Sequence, residues 1–150
     1  MTRKHDIYKK VLDIIERAGS ADPFIIAEKM DIKVIFKPLP LMIRGMVVHP
    51  YKDNFVVIIN NRINPDEHRI ILAHELGHIF LGHVPLPGIA TDAINKENMN
   101  AEHTASIFAM CLLLYFNNVL KKTGICGIDI KHSFLNSHDA YLLLKSNIGR

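Results

Sequence analysis

The segment His-Glu-Leu-Gly-His at residues 74–78 constrains this chain more than any other feature of its sequence. On a helix, His74 and His78 are separated by about 400° of turn and therefore lie on one face. Two imidazoles at this spacing can bind one zinc ion, and Glu75 can act as general base on a water at the open position of the metal. The segment, called the HExxH motif below, predicts a zinc hydrolase.

The flanking sequence predicts that the motif lies on a helix. Asn64 is a suitable N-cap, Pro65 fits the first helical position, and two acidic residues follow. A helix end is predicted at residues 81–83, which Pro85 follows shortly. Gly77 lies within the helix, where glycine costs about 1 kcal/mol relative to alanine. We interpret it as a point where another backbone segment comes close.

Length and composition indicate one globular domain, residues 1–150. The chain is 49% hydrophobic and 22% charged, and its net charge of +3 is not gathered into a basic stripe, so we expect no direct nucleic acid binding. The two cysteines, Cys111 and Cys126, have no metal-site spacing and imply no disulfide framework. The longest apolar run, 107–116, is half of a membrane span, and no signal-peptide core is present. We therefore expect a cytoplasmic protein without a membrane segment.

The remaining periodicities predict an α+β fold class. Helices are predicted at residues 7–18, 22–29, 100–120 and 138–145, and strands at 32–36, 43–48 and 55–59. The last two strands are expected to form an antiparallel hairpin against the HExxH helix. The polar segment after Gly88, to about residue 99, is expected to be a loop that borders the active site. The expected architecture is a compact single domain, with a small antiparallel sheet packed on the HExxH helix and on a second buried helix.

A catalytic zinc site requires a third protein ligand, and several residues are candidates. Glu102 is the strongest, because a charged residue at the start of an apolar helix needs a partner and a metal is a suitable one. His83 is interpreted as a helix-end or supporting histidine, since a residue five positions beyond His78 on a continuing helix points away from the ligand face. The remaining alternatives are Asp92, Glu97 and His103.

The chain resembles the ImmA/IrrE family of zinc metallopeptidases over about residues 20–115. The resemblance is carried by RIILAHELGH at 69–78, Ile59-Asn60, Glu102-x-x-Ala105-x-x-Phe108-Ala109 with Leu112-Leu113, and a weaker match at 22–34. It implies a zincin-like fold in which Glu102 joins the two motif histidines as zinc ligand.

Family members are site-specific endopeptidases that cleave helix-turn-helix repressors. The resemblance implies the same activity and partner here, with Glu75 as general base. The alternatives are a metal-binding protein that inactivates a repressor without cutting it, and a hydrolase of small substrates. A site of two histidines and one carboxylate suits Zn²⁺, and also Mn²⁺ or Fe²⁺. Candidate oxyanion donors are Tyr51, His103 and His132, and Arg69 is a candidate partner for a carboxylate.

Overall fold

The computed structural model describes residues 4–85, 88–91, 99–122 and 124. Its elements in chain order are α1 (Lys4–Ala18), α2 (Pro23–Lys29), β1 (Lys33–Lys37), β2 (Gly45–Tyr51), β3 (Asn54–Asn60), a 3₁₀ turn (Pro65–Glu67), α3 (His68–Phe80), β4 (Gly88–Thr91) and α4 (Met99–Lys122). The α+β class is confirmed. The helix predicted at 138–145 lies outside the described residues.

The four strands form one mixed sheet in the order β1-β3-β2-β4. The predicted hairpin is confirmed: β2 and β3 are antiparallel, joined by a tight turn in which Lys52 has a φ of 40°. The sheet differs from the expected antiparallel one at β1, which pairs parallel with β3. The reason is topological. After β1 the chain reverses into β2 and reverses again into β3, which inserts between them and so runs in the direction of β1.

The segment after Gly88, to about residue 99, is predicted to be a loop, and this prediction is wrong for its first residues. Residues 88–91 form β4, which pairs antiparallel with β2 from His49↔Gly88 to Met46↔Thr91. Only two of the four residues of β4 are β-branched, and a pattern this short cannot be detected in a sequence. Its pairing with the free edge of β2 is a long-range effect that no local pattern reports.

Asn64 was predicted as the N-cap of the HExxH helix, but it caps the 3₁₀ turn before that helix, and α3 itself begins at His68 with Glu67 at its N-cap position. The side chain of Asn64 accepts a hydrogen bond from the backbone N–H of Asp66 at 3.0 Å, and Pro65 occupies the first position of the 3₁₀ turn that leads into the helix. Asp22 caps α2 in the same way, through the N–H of Phe24 at 3.0 Å. Asp22 also binds Arg69 of α3 at 3.1 and 3.2 Å, so this carboxylate fixes α2 to the HExxH helix.

The core lies on both sides of α3, between the sheet and α4. The buried apolar residues of α3 are Ile70, Ile71, Leu72, Ala73 and Leu76. Helix α4 is long and apolar enough to cross a membrane by length and composition alone, and half of its apolar window is buried inside the protein. Its residues 107–113 are all buried and belong to the main core cluster. Packing within the protein accounts for the buried part of this apolar surface, as in other core helices.

The interpretation of Gly77 as a point of close backbone approach is confirmed. A Cβ atom at this position would lie 2.8 Å from the carbonyl oxygen of Ala105 and 3.1 Å from its Cα, both on α4. Helices can approach this closely only where one of them carries no side chain. Because Ala105 lies one turn after Glu102, the contact brings the first turn of α4 against the motif.

Asn60, at the end of β3, organises the segment that leads into β2. Its side chain is buried and donates to the carbonyl oxygens of Leu39, Pro40 and Ile43 at 3.1, 3.2 and 2.8 Å. The side-chain oxygen of Asn60 accepts a hydrogen bond from the backbone N–H of Leu39 at 3.2 Å. A buried amide that satisfies several backbone groups of one segment fixes the conformation of that segment. It therefore determines how the chain enters β2 at Gly45.

Candidate metal centre

Two helices bring His74, His78 and Glu102 together. Both histidines lie on α3, and Glu102 lies in the first turn of α4. The Nε2 atoms of His74 and His78 are 2.9 and 3.0 Å from different oxygens of Glu102, and 3.2 Å from each other. One nitrogen from each ring and the carboxylate of Glu102 thus converge on a single point. Among the residues that the structure describes, these three alone form a group able to hold a metal ion.

The donor set fits a zinc ion. Ligand atoms at about 2.1 Å from a tetrahedral zinc lie about 3.4 Å from one another, and the three separations measured here are 2.9 to 3.2 Å. Two imidazole nitrogens and one carboxylate oxygen are a usual set of three protein ligands in catalytic zinc sites. The three atoms therefore lie slightly closer together than the ligands of a bound zinc ion would.

The pKa of Glu102 results from two opposing effects. Burial of the carboxyl raises the pKa, whereas hydrogen bonds from His74 and His78 lower it by more, and the resulting pKa is about 2. The carboxylate is therefore charged at neutral pH. An anionic oxygen facing two imidazole nitrogens is the arrangement that a divalent cation requires.

Glu75 is fully buried, and its carboxylate lies against the start of β2. A Cβ atom at Gly45 would be 3.1 Å from Oε1 of Glu75 and 2.8 Å from the Cγ2 methyl of Ile71. The absence of a side chain at Gly45 therefore provides the space that the carboxylate occupies. The sequence-based prediction missed Gly45. The available signal was a glycine at the edge of a β-branched run, which often marks close approach of another group.

The second nitrogens of both motif histidines face side chains as well. Nδ1 of His78 is 3.0 Å from Nδ1 of His83, and Nδ1 of His74 is 3.4 Å from the hydroxyl of Ser106. The other ring nitrogen of His83 is 3.3 Å from the hydroxyl of Thr104. Burial lowers the pKa of His83 below its usual value, and the adjacent His78 lowers it further, so this ring is uncharged at neutral pH.

The other residues considered from the sequence do not join this group. His83 lies behind His78, on the side away from Glu102, and His103 is exposed. Tyr51 is 60% exposed and lies at the far end of β2. Arg69 does bind a carboxylate, that of Asp22, and its guanidinium lies between the rings of two phenylalanines. The remaining candidates, which lie outside the described residues, are Asp92, Glu97 and His132.

The chain matches a known protein family over more than half of its length. Residues 27–116 match the model of peptidase M78, which is described as the IrrE N-terminal-like domain. No curated protein sequence matches the chain. The matched region contains the whole sheet, the HExxH helix and α4 as far as residue 116, and hence all three residues of the candidate metal centre together with Glu75.

Proposed function

Because the chain belongs to the peptidase M78 family, the IrrE N-terminal-like domain, we propose that it is a zinc-dependent endopeptidase that cleaves a helix-turn-helix repressor. The observation that carries the proposal is the convergence of His74, His78 and Glu102 from two helices, next to the buried Glu75. The family supports a metallopeptidase. The repressor as substrate is supported by the resemblance of residues 20–115 to repressor-cleaving enzymes.

The three converging residues would bind the metal, and Glu75 would transfer the proton of the attacking water. A bound zinc ion supplies Lewis acidity, which lowers the pKa of water and polarises a carbonyl oxygen. Glu75 then takes the proton from the attacking water and transfers it to the leaving amine nitrogen. Burial of its carboxylate against Gly45 holds the base in one position, so that it needs little reorganisation during the reaction.

The number of ligands favours catalysis over a structural role for the metal. Structural zinc sites are usually closed by four protein ligands, most of them cysteines, whereas catalytic sites use three and leave one position open. Within the described ranges, the metal-binding group contains three residues and no cysteine. A structural site would also give no role to a buried glutamate beside the ligands.

The decisive experiment compares the wild-type protein with Glu75→Gln on helix-turn-helix repressors from the same genome. We expect the wild type to cut the repressor into two fragments, and the variant to bind an equal amount of zinc but to cleave at least about a hundredfold more slowly. Glu67→Gln is the matched control, because Glu67 pairs with Arg44 on the surface at 2.9 Å and lies outside the metal centre. Gel electrophoresis gives the cleavage and elemental mass spectrometry the zinc content.

The same incubation distinguishes the alternatives. An intact complex of the two proteins, formed equally by Glu75→Gln, would replace the peptidase with a metal-binding protein that inactivates the repressor by binding. Cleavage by Glu75→Gln at the wild-type rate would contradict the role of the base. Absence of both cleavage and complex would refute the repressor as substrate and favour a hydrolase of small molecules.

A further inference from the structure

We propose that His83 is a positioning residue of the metal centre, which accepts a hydrogen bond from Nδ1 of His78 and connects that ligand to the first turn of α4 through Thr104. The inference rests on the proposed metal site and adds a role for a histidine outside the ligand set.

If His78 binds the metal through Nε2, its other ring nitrogen, Nδ1, requires a hydrogen-bond acceptor. The Nε2 atom of His78 faces Glu102 at 3.0 Å, on the side where the metal would bind. A histidine that ligates through Nε2 keeps its proton on Nδ1. Because the side chain of His78 is only 2% exposed, water is not available to accept this proton. Nδ1 of His83 lies 3.0 Å from Nδ1 of His78 and can accept this proton. In most metal sites a carboxylate or a backbone carbonyl occupies this place.

The end of α3 explains why His83 lies there. Gly82 adopts a left-handed conformation, with a φ of 74°, and reverses the chain direction. The N–H of His83 then bonds to the carbonyl of His78 at 2.9 Å, and the N–H of Gly82 to that of Ile79 at 3.2 Å. These two bonds define a Schellman motif. The turn folds His83 back under His78, whereas on a continuing helix the residue would point away.

The hydrogen-bond chain continues to the helix that carries Glu102. If Nδ1 of His83 accepts from His78, its proton must be on Nε2, which then donates to the hydroxyl of Thr104 at 3.3 Å. The hydroxyl of Thr104 in turn donates to the carbonyls of Asn100 or Ala101, at 3.0 and 3.1 Å. If His83 instead donated its proton to Nδ1 of His78, the proton of His78 would have to be on Nε2, which is the nitrogen that binds the metal. Metal binding by His78 therefore allows only one arrangement of protons along this series of hydrogen bonds.

Zinc affinity, measured by competition with a chromophoric chelator, tests the proposal. We expect His83→Phe, which retains a ring and removes both nitrogens, to weaken zinc binding about 10- to 100-fold. His83→Asn should recover most of the affinity, because the side-chain oxygen of asparagine takes the position of Nδ1. Thr104→Val, which breaks only the second link, should lose less than His83→Phe. His68→Phe is the matched control on α3, since His68 contacts the carbonyl of Ile63, at 3.0 Å.

The absorption spectrum of the cobalt-substituted protein gives a second readout that a purely structural role would not change. It should differ from the wild-type spectrum in His83→Phe and return to it in His83→Asn. Unchanged zinc affinity in His83→Phe would overturn the proposal. A loss as complete as that in His78→Ala would also overturn it, because His83 would then be a direct ligand. Zinc binding that survives His78→Ala would refute the metal site itself, and the role of His83 with it.

Discussion

Gly45 is the residue at which the sheet meets the carboxylate proposed as general base. An added methyl group would enter the space of two side chains, the Cγ2 of Ile71 at 2.8 Å and Oε1 of Glu75 at 3.1 Å. Contacts this short force a neighbour to move. Of the two neighbours, Glu75 has the more direct effect on chemistry, because a small displacement of a catalytic group can reduce the rate by up to about a hundredfold.

We therefore expect Gly45→Ala to reduce the kcat of repressor cleavage about tenfold or more and to leave the zinc affinity unchanged. Met46→Ala is the control, because the neighbouring residue on β2 points to the opposite face of the sheet. The measurements are steady-state cleavage rates and zinc competition on both variants. Equal cleavage by Gly45→Ala and the wild type would show that the space beside Glu75 does not position the carboxylate.

Cys111 provides a second test at the level of one residue. The side chain is 1% exposed, and burial raises the pKa of its thiol to about 12. At pH 8 only about one molecule in ten thousand would carry the reactive thiolate. In a Cys126→Ser variant, where Cys111 is the remaining thiol, we expect no reaction with an aromatic disulfide reagent until guanidinium unfolds the protein. Rapid reaction in the native state would contradict the burial of this part of α4.

At the scale of elements, the contact between α3 and α4 depends on Gly77. Helix propensity alone predicts that Gly77→Ala would stabilise the protein by about 1 kcal/mol. The structure predicts the opposite sign, because the new Cβ would lie 2.8 Å from the backbone oxygen of Ala105, which cannot move without moving α4. We expect a loss of about 1–3 kcal/mol in the free energy of unfolding, measured by urea denaturation.

Gly82→Ala is the comparison for this prediction. Nothing lies within 4 Å of a Cβ built at Gly82, so its cost comes from the left-handed backbone alone, about 1 kcal/mol. Zinc affinity should fall in Gly77→Ala as well, because Glu102 lies one turn before the displaced residue. A Gly77→Ala protein more stable than the wild type would show that the two helices are not in direct backbone contact.

At the scale of the whole molecule, the proposed metal centre joins segments that are distant in sequence. His74 and Glu102 are 28 residues apart and lie on different helices. Zinc that binds only the folded state, at a concentration a hundred times its Kd, stabilises that state by about 2.7 kcal/mol. For a chain of this size we expect the Tm to rise by roughly 5–10 °C.

Thermal unfolding in excess zinc and in chelator measures the shift in Tm, and Glu102→Ala should abolish it. Equal Tm values for the wild type in both conditions would refute a link between the helices through the metal.

Much of this architecture could be predicted because its signals are local. The caps at Asn64 and Asp22, the hairpin and the glycine in the middle of α3 each leave a pattern within a few residues. The parallel pairing of β1, the strand at 88–91 and the space at Gly45 depend on contacts between distant segments. His83 shows the same limit: the spacing correctly set it apart from the helix face, but only the reversal at Gly82 reveals that it contacts His78.

The contact at Gly77 also has a genetic consequence. A side chain there meets the main-chain oxygen and Cα of Ala105, atoms that every amino acid at position 105 would carry. No substitution at Ala105 could restore the lost space, unlike a clash between two side chains, which a smaller partner relieves. A selection for suppressors of Gly77→Ala should therefore return reversions at codon 77 in preference to compensating changes at codon 105. Position 77 is thus expected to stay glycine wherever the two helices meet in this way, whichever residue occupies position 105.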